Sequence, residues 1–276
     1  MNKLYEKYIK TESLPTLFCR GCGDGIIQFA AANAMDELGI KDDIACVSGI
    51  GCSSWIPCYY KMDVMHTMHG RALAFAEGLK LARPDQKIMV FTVDGDCLAI
   101  GGNHLLHAAS RNIDLIVIMV NNYIYGMTGG QKSPSTPKGA ITKTSPFGCI
   151  DEPINGCRLV MSLGASYVAR WTTAHPVQLA KSIKDGLMHR GFSFIEVLSQ
   201  CPVQAGKKMC IRDSIRNRRN WKSYHQKSFT GHIMRYCIPL EERRRKPGYR
   251  QTDTEHILYI IKFIIIKYFR RRSGNG

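Results

Sequence analysis

Apolar runs typical of strands alternate with helix-like runs over the first two hundred residues of the chain. Strands are predicted at residues 44–47, 87–93, 115–120, 167–171 and 192–198. Apolar side chains that recur every three or four residues predict helices at residues 24–38, 71–81, 104–110 and 176–189. This alternation indicates βαβ units, and therefore an α/β fold in which helices cover both faces of a parallel sheet.

Several residues at the ends of these runs fit the predicted boundaries. Asp24 and Asn103 are placed to cap the helices that they precede, and Gly39 is placed to end the first helix. Residues 126–144 form a long run rich in Gly, Pro, Ser and Thr. A loop of that length in a compact domain is usually functional, so we expect it to act as a lid or a binding loop.

The pattern stops after Lys208. The following stretch is rich in Lys and Arg, shows no sustained helix or strand period, and leads into an Ile-rich run at residues 257–269. We therefore expect a folded domain at residues 1–208 and a basic, irregular tail at residues 209–276. The tail is expected to lie outside the functional fold, and it is of the kind that a frameshift or a chimeric gene produces.

The charge distribution separates the same two parts. The chain has a net charge of +16, but the segment from Lys207 onward carries 19 of the 38 basic and 5 of the 22 acidic residues. That segment thus accounts for +14 of the total, and the part before it is nearly neutral. A zinc-bearing nucleic-acid-binding protein needs a basic surface on its folded part, so this class and a nucleic-acid partner are not expected.

Composition favours a cytoplasmic protein that does not enter a membrane. The first ten residues are polar and charged, unlike a secretory signal. The apolar run at residues 257–269 contains two lysines and is shorter than the roughly 20 residues of a membrane-spanning helix. The 11 cysteines are spaced too irregularly for a small disulfide framework. Clustered cysteines in a reducing compartment more often hold metal.

Residues that suit metal and phosphate binding follow two of the predicted strands. Asp94 and Gly95 follow the strand at 87–93, and Asn122 follows the strand at 115–120. Ligands of open parallel sheets bind at the carboxyl ends of the strands. A carboxylate and an amide oxygen there suit Mg²⁺, and Gly95 lets the backbone approach a diphosphate. The pair is typical of thiamine-diphosphate sites, usually written Gly-Asp-Gly then Asn-Asn, although Val93 replaces the first glycine.

Four cysteines are candidate ligands of a metal centre at the same edge of the sheet. Cys19 and Cys22 are separated by two residues in a Gly-rich loop, a spacing that suits either an iron–sulfur cluster or zinc. Cys52 and Cys201 each follow a predicted strand, and they are the best candidates for a third and a fourth ligand. A cluster beside an organic cofactor indicates electron transfer.

Six motifs occur in order along the chain: CRGCGDG (19–25), SGIGCSSW (48–55), HTMHGRA (66–72), DGDCLAIGGNHLLHA (94–108), NNYIYGMTGGQKSPSTP (121–137) and SQCP (199–202). Together they resemble the β subunit of the 2-oxoacid:ferredoxin oxidoreductases, over about three quarters of the chain. Within that family, HGRA and the loop at 136–148 are most similar to the 2-oxoglutarate enzymes.

The resemblance implies a parallel-sheet thiamine-diphosphate-binding fold and a set of ligands. A [4Fe–4S] cluster would be ligated by Cys19, Cys22, Cys52 and Cys201. Mg²⁺ would be held by Asp94, Asn122 and the main-chain oxygen of Ile124. Thiamine diphosphate would be contacted by Ile50, Gly51, Cys52, Ser53, His69, Gly70, Gly95, Asp96, Gly126 and Met127.

The implied reaction is oxidative decarboxylation of a 2-oxoacid with coenzyme A, giving an acyl-CoA and CO₂, while electrons pass through the cluster to ferredoxin. We expect 2-oxoglutarate as the substrate, with pyruvate or a branched-chain 2-oxoacid as alternatives. No motif supplies the carboxylate that activates thiamine diphosphate, and the resemblance assigns it to an α subunit, without which the chain is expected to be inactive. A non-redox thiamine-diphosphate decarboxylase or synthase remains a second interpretation, which would leave the four cysteines without a role.

Overall fold

A computed structural model describes residues 3–204 and 235–237 of the chain, and its main element is a seven-stranded sheet. The strands, in chain order from β1 to β9, are Ile44–Ser48, Asp63–His66, Lys87–Val93, Ile116–Asn121, Ile124–Tyr125, Gln131–Lys132, Tyr167–Thr172, Ser193–Leu198 and Arg235–Cys237. Six of them run parallel in the order β2-β1-β3-β4-β8-β7, and β9 pairs antiparallel with β7 at the edge. The short strands β5 and β6 form a separate antiparallel pair.

Helices cover both faces of this sheet. The helices α1 to α7 are Lys3–Tyr8, Asp24–Leu38, Trp55–Cys58, Ala72–Ala82, Gly102–Arg111, Gly156–Ser162 and Pro176–Met188. One apolar core joins one face of the sheet to α1, α2, α3 and α7, and a second core joins the other face to α4, α5 and α6. A π-helical segment, Gly95–Ile100, connects β3 to α5. The predicted α/β architecture with helices on both faces is confirmed.

The five strands and four helices predicted from periodicity are all present, with ends that differ by two residues or fewer. The sequence did not reveal α1, α3, α6 or β2. Each has four to seven residues, so none spans enough periods to show a pattern. In addition, β2 is largely exposed and lacks the apolar run that marks a buried strand.

Two of the predicted helix caps are wrong. Asp24 is the first residue of α2, and Gly23 occupies the cap position before it. The Asp24 carboxylate accepts a hydrogen bond from the Cys22 thiol at 3.1 Å. Asn103 lies inside α5, which begins at Gly102. Gly39, in contrast, ends α2 as predicted, in the left-handed conformation with its N–H bonded to Asp36.

The predicted tail lies almost wholly outside the described residues. Only β9 is described there, as an edge strand of the sheet, so the separation of residues 209–276 from the functional fold stays a prediction. Among the residues that the structure describes, no helix is long and apolar enough to cross a membrane.

The central strands carry the stability of the domain because their side chains are buried on both faces. Phe91 of β3 is fully buried, whereas Phe75 on α4 is 43% exposed. We expect Phe91→Ala to lower the free energy of unfolding by about 3–5 kcal/mol, since it removes apolar contacts and leaves a cavity. Phe75→Ala is the control, and it should lower the free energy of unfolding by no more than about 1 kcal/mol. Urea unfolding followed by circular dichroism measures both, and equal losses would contradict this account of the core.

Candidate functional site

Four adjacent strands, β1, β3, β4 and β8, direct their carboxyl ends to one edge of the sheet. This adjacency confirms the prediction that their following loops converge. After β1 the chain moves outward to β2, and after β2 it returns to β3 on the other side of β1. The strand order therefore reverses beside β1 and β3, and such reversals open a crevice in which ligands bind.

A cleft opens at this position, with an empty volume of about 370 Å³. Its walls come from the loop after β1, from the end of β3 and from the segment after β4. The lining residues are Ile50, Gly51, Cys52, His69, Val93, Asn122, Ile124, Tyr125, Gly126, Met127 and Thr128. Six of the predicted cofactor contacts and two of the three predicted Mg²⁺ ligands are thus brought to one cavity, whereas the third, Asp94, is fully buried and does not line it. Val93, Tyr125 and Thr128 were not among the predicted site residues.

Asp94 lies fully buried at the end of β3, and its two carboxylate oxygens differ. Oδ2 accepts hydrogen bonds from the hydroxyls of Ser133, at 2.5 Å, and Ser135, at 2.6 Å. Oδ1 is buried and has no hydrogen-bond partner among the described residues. Burial raises the pKa of Asp94 to about 6, although the hydroxyls of Ser133 and Ser135 and the nearby main-chain N–H groups of Gly95 and Asn122 oppose the shift. Neither N–H group lies in hydrogen-bond geometry with Oδ1. A buried carboxylate oxygen without a partner fits a cation ligand.

Asn122 directly follows β4, and Ile124 is the first residue of β5. The Asn122 side-chain oxygen accepts the N–H of Ile124 at 3.2 Å, which fixes the amide and leaves that oxygen a second lone pair. Both residues line the cleft. An aspartate oxygen, an amide oxygen and a main-chain carbonyl are the oxygen ligands that Mg²⁺ accepts, so the residues present fit that ion.

Asp96 fastens three predicted segments of the site to each other. Its Oδ1 accepts the N–H groups of Gly70, at 2.6 Å, and Ile50, at 3.2 Å, and lies 2.6 Å from His69 Nδ1. Its Oδ2 accepts the hydroxyl of Thr92 at 2.7 Å. Asp96 is 1% exposed, so its carboxylate holds the walls of the cleft from behind.

Four predicted cofactor contacts do not line the cleft: Ser53, Gly70, Gly95 and Asp96. Ser53 is fully buried, and a Cβ at Gly95 would overlap the ring of Tyr125. Gly70 has a φ of 73°, and a Cβ there would stand 2.6 Å from the main chain of Ile100. Gly70 thus needs to be glycine for packing, whether or not it touches a ligand.

Two of the four predicted cluster ligands, Cys52 and Cys201, meet at Gly126. The point at which a Cβ of Gly126 would stand is 3.1 Å from the Cys201 sulfur and 4.0 Å from the Cys52 sulfur. The Asn122 amide lies 3.8 Å from the same point. Two of the four cysteines and one candidate Mg²⁺ ligand, Asn122, therefore lie in one small region.

The loop that carries Cys19 and Cys22 is tied to the segment that carries Cys201. Gln200 donates its side-chain N–H to the main-chain oxygen of Gly21 at 2.8 Å. The N–H of Gly23 donates to the Ser199 hydroxyl at 3.2 Å, and a side chain at Gly23 would collide with Thr173. These bonds draw the first cysteine pair to the carboxyl end of β8.

Electrostatic coupling links all four thiols, and each is a free cysteine. Burial, followed by the neighbouring Asp24, Cys201 and Cys19, raises the pKa of Cys52 to about 12. The pKa of Cys22 is also raised, first by burial, then by Asp24, and to a smaller extent by Cys52. Coordination deprotonates such thiols outright, so raised values do not exclude a metal centre.

No three His, Cys, Asp or Glu side chains in residues 3–204 are arranged around a single metal ion. A [4Fe–4S] cluster binds each thiolate through a different iron, so its four sulfurs stand further apart than the ligands of one ion. Cys52 and Cys201 lie together, and the loop of Cys19 and Cys22 is tied to the segment of Cys201, an arrangement that is compatible with such a cluster.

Residues 126–144 supply side chains that the sequence did not identify individually. Ser133 and Ser135 hold Asp94, and the Tyr125 hydroxyl donates to the main-chain oxygen of Gly95 at 3.2 Å. The composition of the loop signalled a binding role, but nothing in the sequence indicated which hydroxyls reach back to β3.

Residues 49–197 match the family model described as the thiamine pyrophosphate enzyme, C-terminal TPP binding domain. That range contains every residue that lines the cleft. Within the described structure, the match therefore covers the loops after β1, β3 and β4 together with the strands β3 and β4, and it begins directly after β1.

The chain is also similar to curated and solved proteins. It is 56% identical over 212 residues to the 2-oxoglutarate synthase subunit KorB of Methanothermobacter marburgensis, covering 76% of this chain and 74% of that protein. It is 43% identical over 188 residues to the 2-oxoacid:ferredoxin oxidoreductase subunit beta of Saccharolobus solfataricus, covering 67% and 62%. A solved 2-oxoglutarate:ferredoxin oxidoreductase from Magnetococcus marinus, with 2-oxoglutarate, coenzyme A and succinyl-CoA bound, matches with a TM-score of 0.74 at 32% identity, covering 91% and 94%.

Proposed function

The chain belongs to the β subunits of the 2-oxoacid:ferredoxin oxidoreductases, and from that membership we propose which residues bind which cofactor and which 2-oxoacid is used. The family model establishes a thiamine-diphosphate-binding domain. We place the cofactor in the cleft at the carboxyl ends of β1, β3 and β4. The observation that carries this placement is the buried, unpartnered Oδ1 of Asp94 at the end of β3.

Mg²⁺ is assigned to Asp94 Oδ1, the side-chain oxygen of Asn122 and the main-chain oxygen of Ile124. These groups would supply one negative charge and two neutral oxygens, and the remaining oxygen ligands of Mg²⁺ would come from the diphosphate and from water. Gly51 and Gly126 present main chain without side chains to the cleft, which leaves room for a ligand.

A [4Fe–4S] cluster is assigned to Cys19, Cys22, Cys52 and Cys201. Cys52 also lines the cleft, so the cluster and the cofactor would stand on either side of one residue. When bound, thiamine diphosphate supplies the carbon chemistry that releases CO₂ from a 2-oxoacid, and the cluster accepts the electrons. The four cysteines would hold the cluster beside the cleft. Asp96 positions the adjacent lining through its hydrogen bonds to the main chain of Ile50 and Gly70.

The proposed chemistry needs a partner subunit. Activation of thiamine diphosphate requires a carboxylate beside its aminopyrimidine ring, and no Asp or Glu among the described residues lines the cleft. The chain is a β subunit, so an α subunit is the source of that carboxylate, and ferredoxin is the electron acceptor.

We propose 2-oxoglutarate as the substrate and coenzyme A as the acyl acceptor. The relatives with the highest identity reported above are named for 2-oxoglutarate, and the solved relative contains 2-oxoglutarate and succinyl-CoA. Anaerobic co-expression with the α subunit, followed by ferredoxin-reduction assays with 2-oxoglutarate, pyruvate and a branched-chain 2-oxoacid, tests this assignment. Preference for pyruvate or the branched-chain acid would overturn the substrate, and iron-free active enzyme would overturn the redox function.

The tail from residue 209 is proposed to be dispensable for this function. Its basic charge and lack of periodicity set it apart from the domain that contains the site. A chain truncated after Lys208 and co-expressed with the α subunit should keep its iron content and its rate of ferredoxin reduction within about twofold, a margin comparable to that of a neutral surface change. If the full-length protein has both and the shortened one loses either, the tail is part of the enzyme.

A further inference from the structure

The carboxylate of Asp94 offers a metal only one of its two oxygens. Ser133 and Ser135 both lie on Oδ2, at 2.5 and 2.6 Å, and Oδ1 is buried without a partner. A carboxylate oxygen accepts about two hydrogen bonds, and Oδ2 already accepts two from the serine hydroxyls. Its hydrogen-bonding capacity is therefore filled by the protein. Coordination through both oxygens would require at least one serine to leave.

The two serines are held in place by a short turn. Thr136 bonds back to Ser133, with its N–H donated to Ser133 O at 3.1 Å and its hydroxyl accepting Ser133 N–H at 2.8 Å. The Thr136 hydroxyl also lies 2.6 Å from the main-chain oxygen of Tyr123. Ser133 and Ser135 are 2% and 1% exposed. The turn thus fastens both hydroxyls beside the end of β4.

A buried chain of polar side chains braces Ser135 from behind. Its hydroxyl lies 2.9 Å from the side-chain oxygen of Asn121, and Asn121 donates its amide N–H to Glu196 at 2.7 Å. Glu196 is 2% exposed and is paired with Arg170 through two nitrogens, at 2.8 and 2.7 Å. Asn121 is fixed at both ends of its amide, because its oxygen accepts the Tyr123 N–H at 3.1 Å and its nitrogen donates to Glu196. Since the one hydroxyl proton of Ser135 goes to Asp94, Asn121 restricts the movement of Ser135 by close packing.

We propose that Ser133 and Ser135 are positioning residues that make Asp94 a one-oxygen ligand, and that they thereby favour Mg²⁺ over Ca²⁺ at the cofactor site. The inference rests on the proposed placement of the metal at Asp94. Mg²⁺ is small and takes six oxygens at about 2.0–2.1 Å in an octahedron. Ca²⁺ takes six to eight oxygens at about 2.3–2.6 Å and often binds both oxygens of a carboxylate. An aspartate whose Oδ2 is held by two serines cannot offer Ca²⁺ its second carboxylate oxygen as an additional ligand.

The test compares how Mg²⁺ and Ca²⁺ support thiamine-diphosphate binding to the complex with the α subunit. For each ion, the concentration giving half-maximal cofactor binding is measured by fluorescence quenching, in the absence of substrate. We expect Ser135→Ala to lower the preference for Mg²⁺ by about tenfold, the equivalent of one hydrogen bond to a charged group, and Ser133→Ala to act in the same direction. Ser135→Thr keeps the hydroxyl and should retain the preference.

Controls separate this inference from the placement of the metal. Ser145→Ala, in the same loop, should leave both ion concentrations unchanged, because Ser145 bonds Thr142 through its main chain. Suppose that Asp94→Ala abolishes cofactor binding with both ions, which supports the metal at Asp94. An unchanged Mg²⁺ preference in Ser133→Ala, Ser135→Ala and the double variant then overturns the role of the serines and leaves the placement of the metal intact. If Asp94→Ala binds the cofactor normally, the metal is not at Asp94, and the proposed site and this inference both fail. Circular dichroism and iron content verify that each variant is folded and assembled.

Discussion

Replacing Asp94 by Ala is expected to abolish thiamine-diphosphate binding while the domain stays folded. The carboxylate supplies the only negative charge among the three proposed Mg²⁺ ligands, and a metal site that loses it should bind at least about a hundredfold more weakly. The fold should tolerate the change, because Asp94 is fully buried with an unpartnered oxygen, and removing a buried charge removes its desolvation cost.

Asp42→Ala is the matched control for this experiment. Asp42 is exposed and lies just before β1, at the end of the sheet opposite the cleft. Cofactor affinity is measured by fluorescence quenching of the assembled complex at saturating Mg²⁺, and unfolding is followed by circular dichroism. Unchanged affinity in Asp94→Ala would falsify the assignment of Asp94 as a metal ligand. A loss of affinity accompanied by unfolding would show that Asp94 is needed for the fold instead.

Replacing Cys201 by Ser is expected to remove the cluster and ferredoxin reduction while leaving thiamine-diphosphate binding nearly intact. A cubane cluster needs a thiolate at each iron, and a serine oxygen is a poor substitute. Cys201 does not line the cleft, and the Ser side chain is slightly smaller, so the cofactor should still enter. Iron content should fall by more than half, and the rate of ferredoxin reduction should fall at least about a hundredfold, as for loss of an essential redox group.

Cys58→Ser provides the comparison. Cys58 is half-buried like Cys201, but it is the last residue of α3. Its thiol donates a hydrogen bond to the main-chain oxygen of Ser54 at 3.6 Å. It should keep full iron content and activity. Iron analysis and visible absorbance of anaerobically purified complexes give the result. A Cys201→Ser protein that retains four irons would exclude Cys201 as a ligand and would leave the fourth ligand to another group.

The fold could be predicted from the sequence wherever apolar runs were long enough to show a period. The strands β3 and β4 are buried over nearly their whole length, so their unbroken apolar runs marked them clearly. The adjacency of β1, β3, β4 and β8 followed from the rule that ligand-binding residues gather at one edge. Elements of one or two turns, such as α3 and α6, carry too few residues for any period to appear.

The candidate site could be predicted only in part, because its parts are joined by contacts between residues distant in sequence. The motifs indicated Asp94, Asn122 and the cysteines, but not that Ser135 reaches Asp94 across 41 residues. The role of Asp96 differs in the same way. The family resemblance implied a contact between Asp96 and the cofactor, which stays a prediction, and the structure adds hydrogen bonds from the main chain of Gly70 and Ile50 to its carboxylate. Hydrogen bonds of this kind depend on tertiary packing, which single-sequence patterns do not encode.

Gly126 and Cys52 form a wall that the cleft and the cysteine group have in common. With the cofactors assigned as above, Cys52 would hold the cluster directly beside the cleft, with no separate layer of protein between them. Rates of electron tunnelling fall steeply with distance. A separation of one residue would therefore allow electron transfer from the cofactor to the cluster without any movement of the protein. This enzyme would then need no swinging carrier arm between its carbon chemistry and its first electron acceptor, and its turnover would not wait on such a movement.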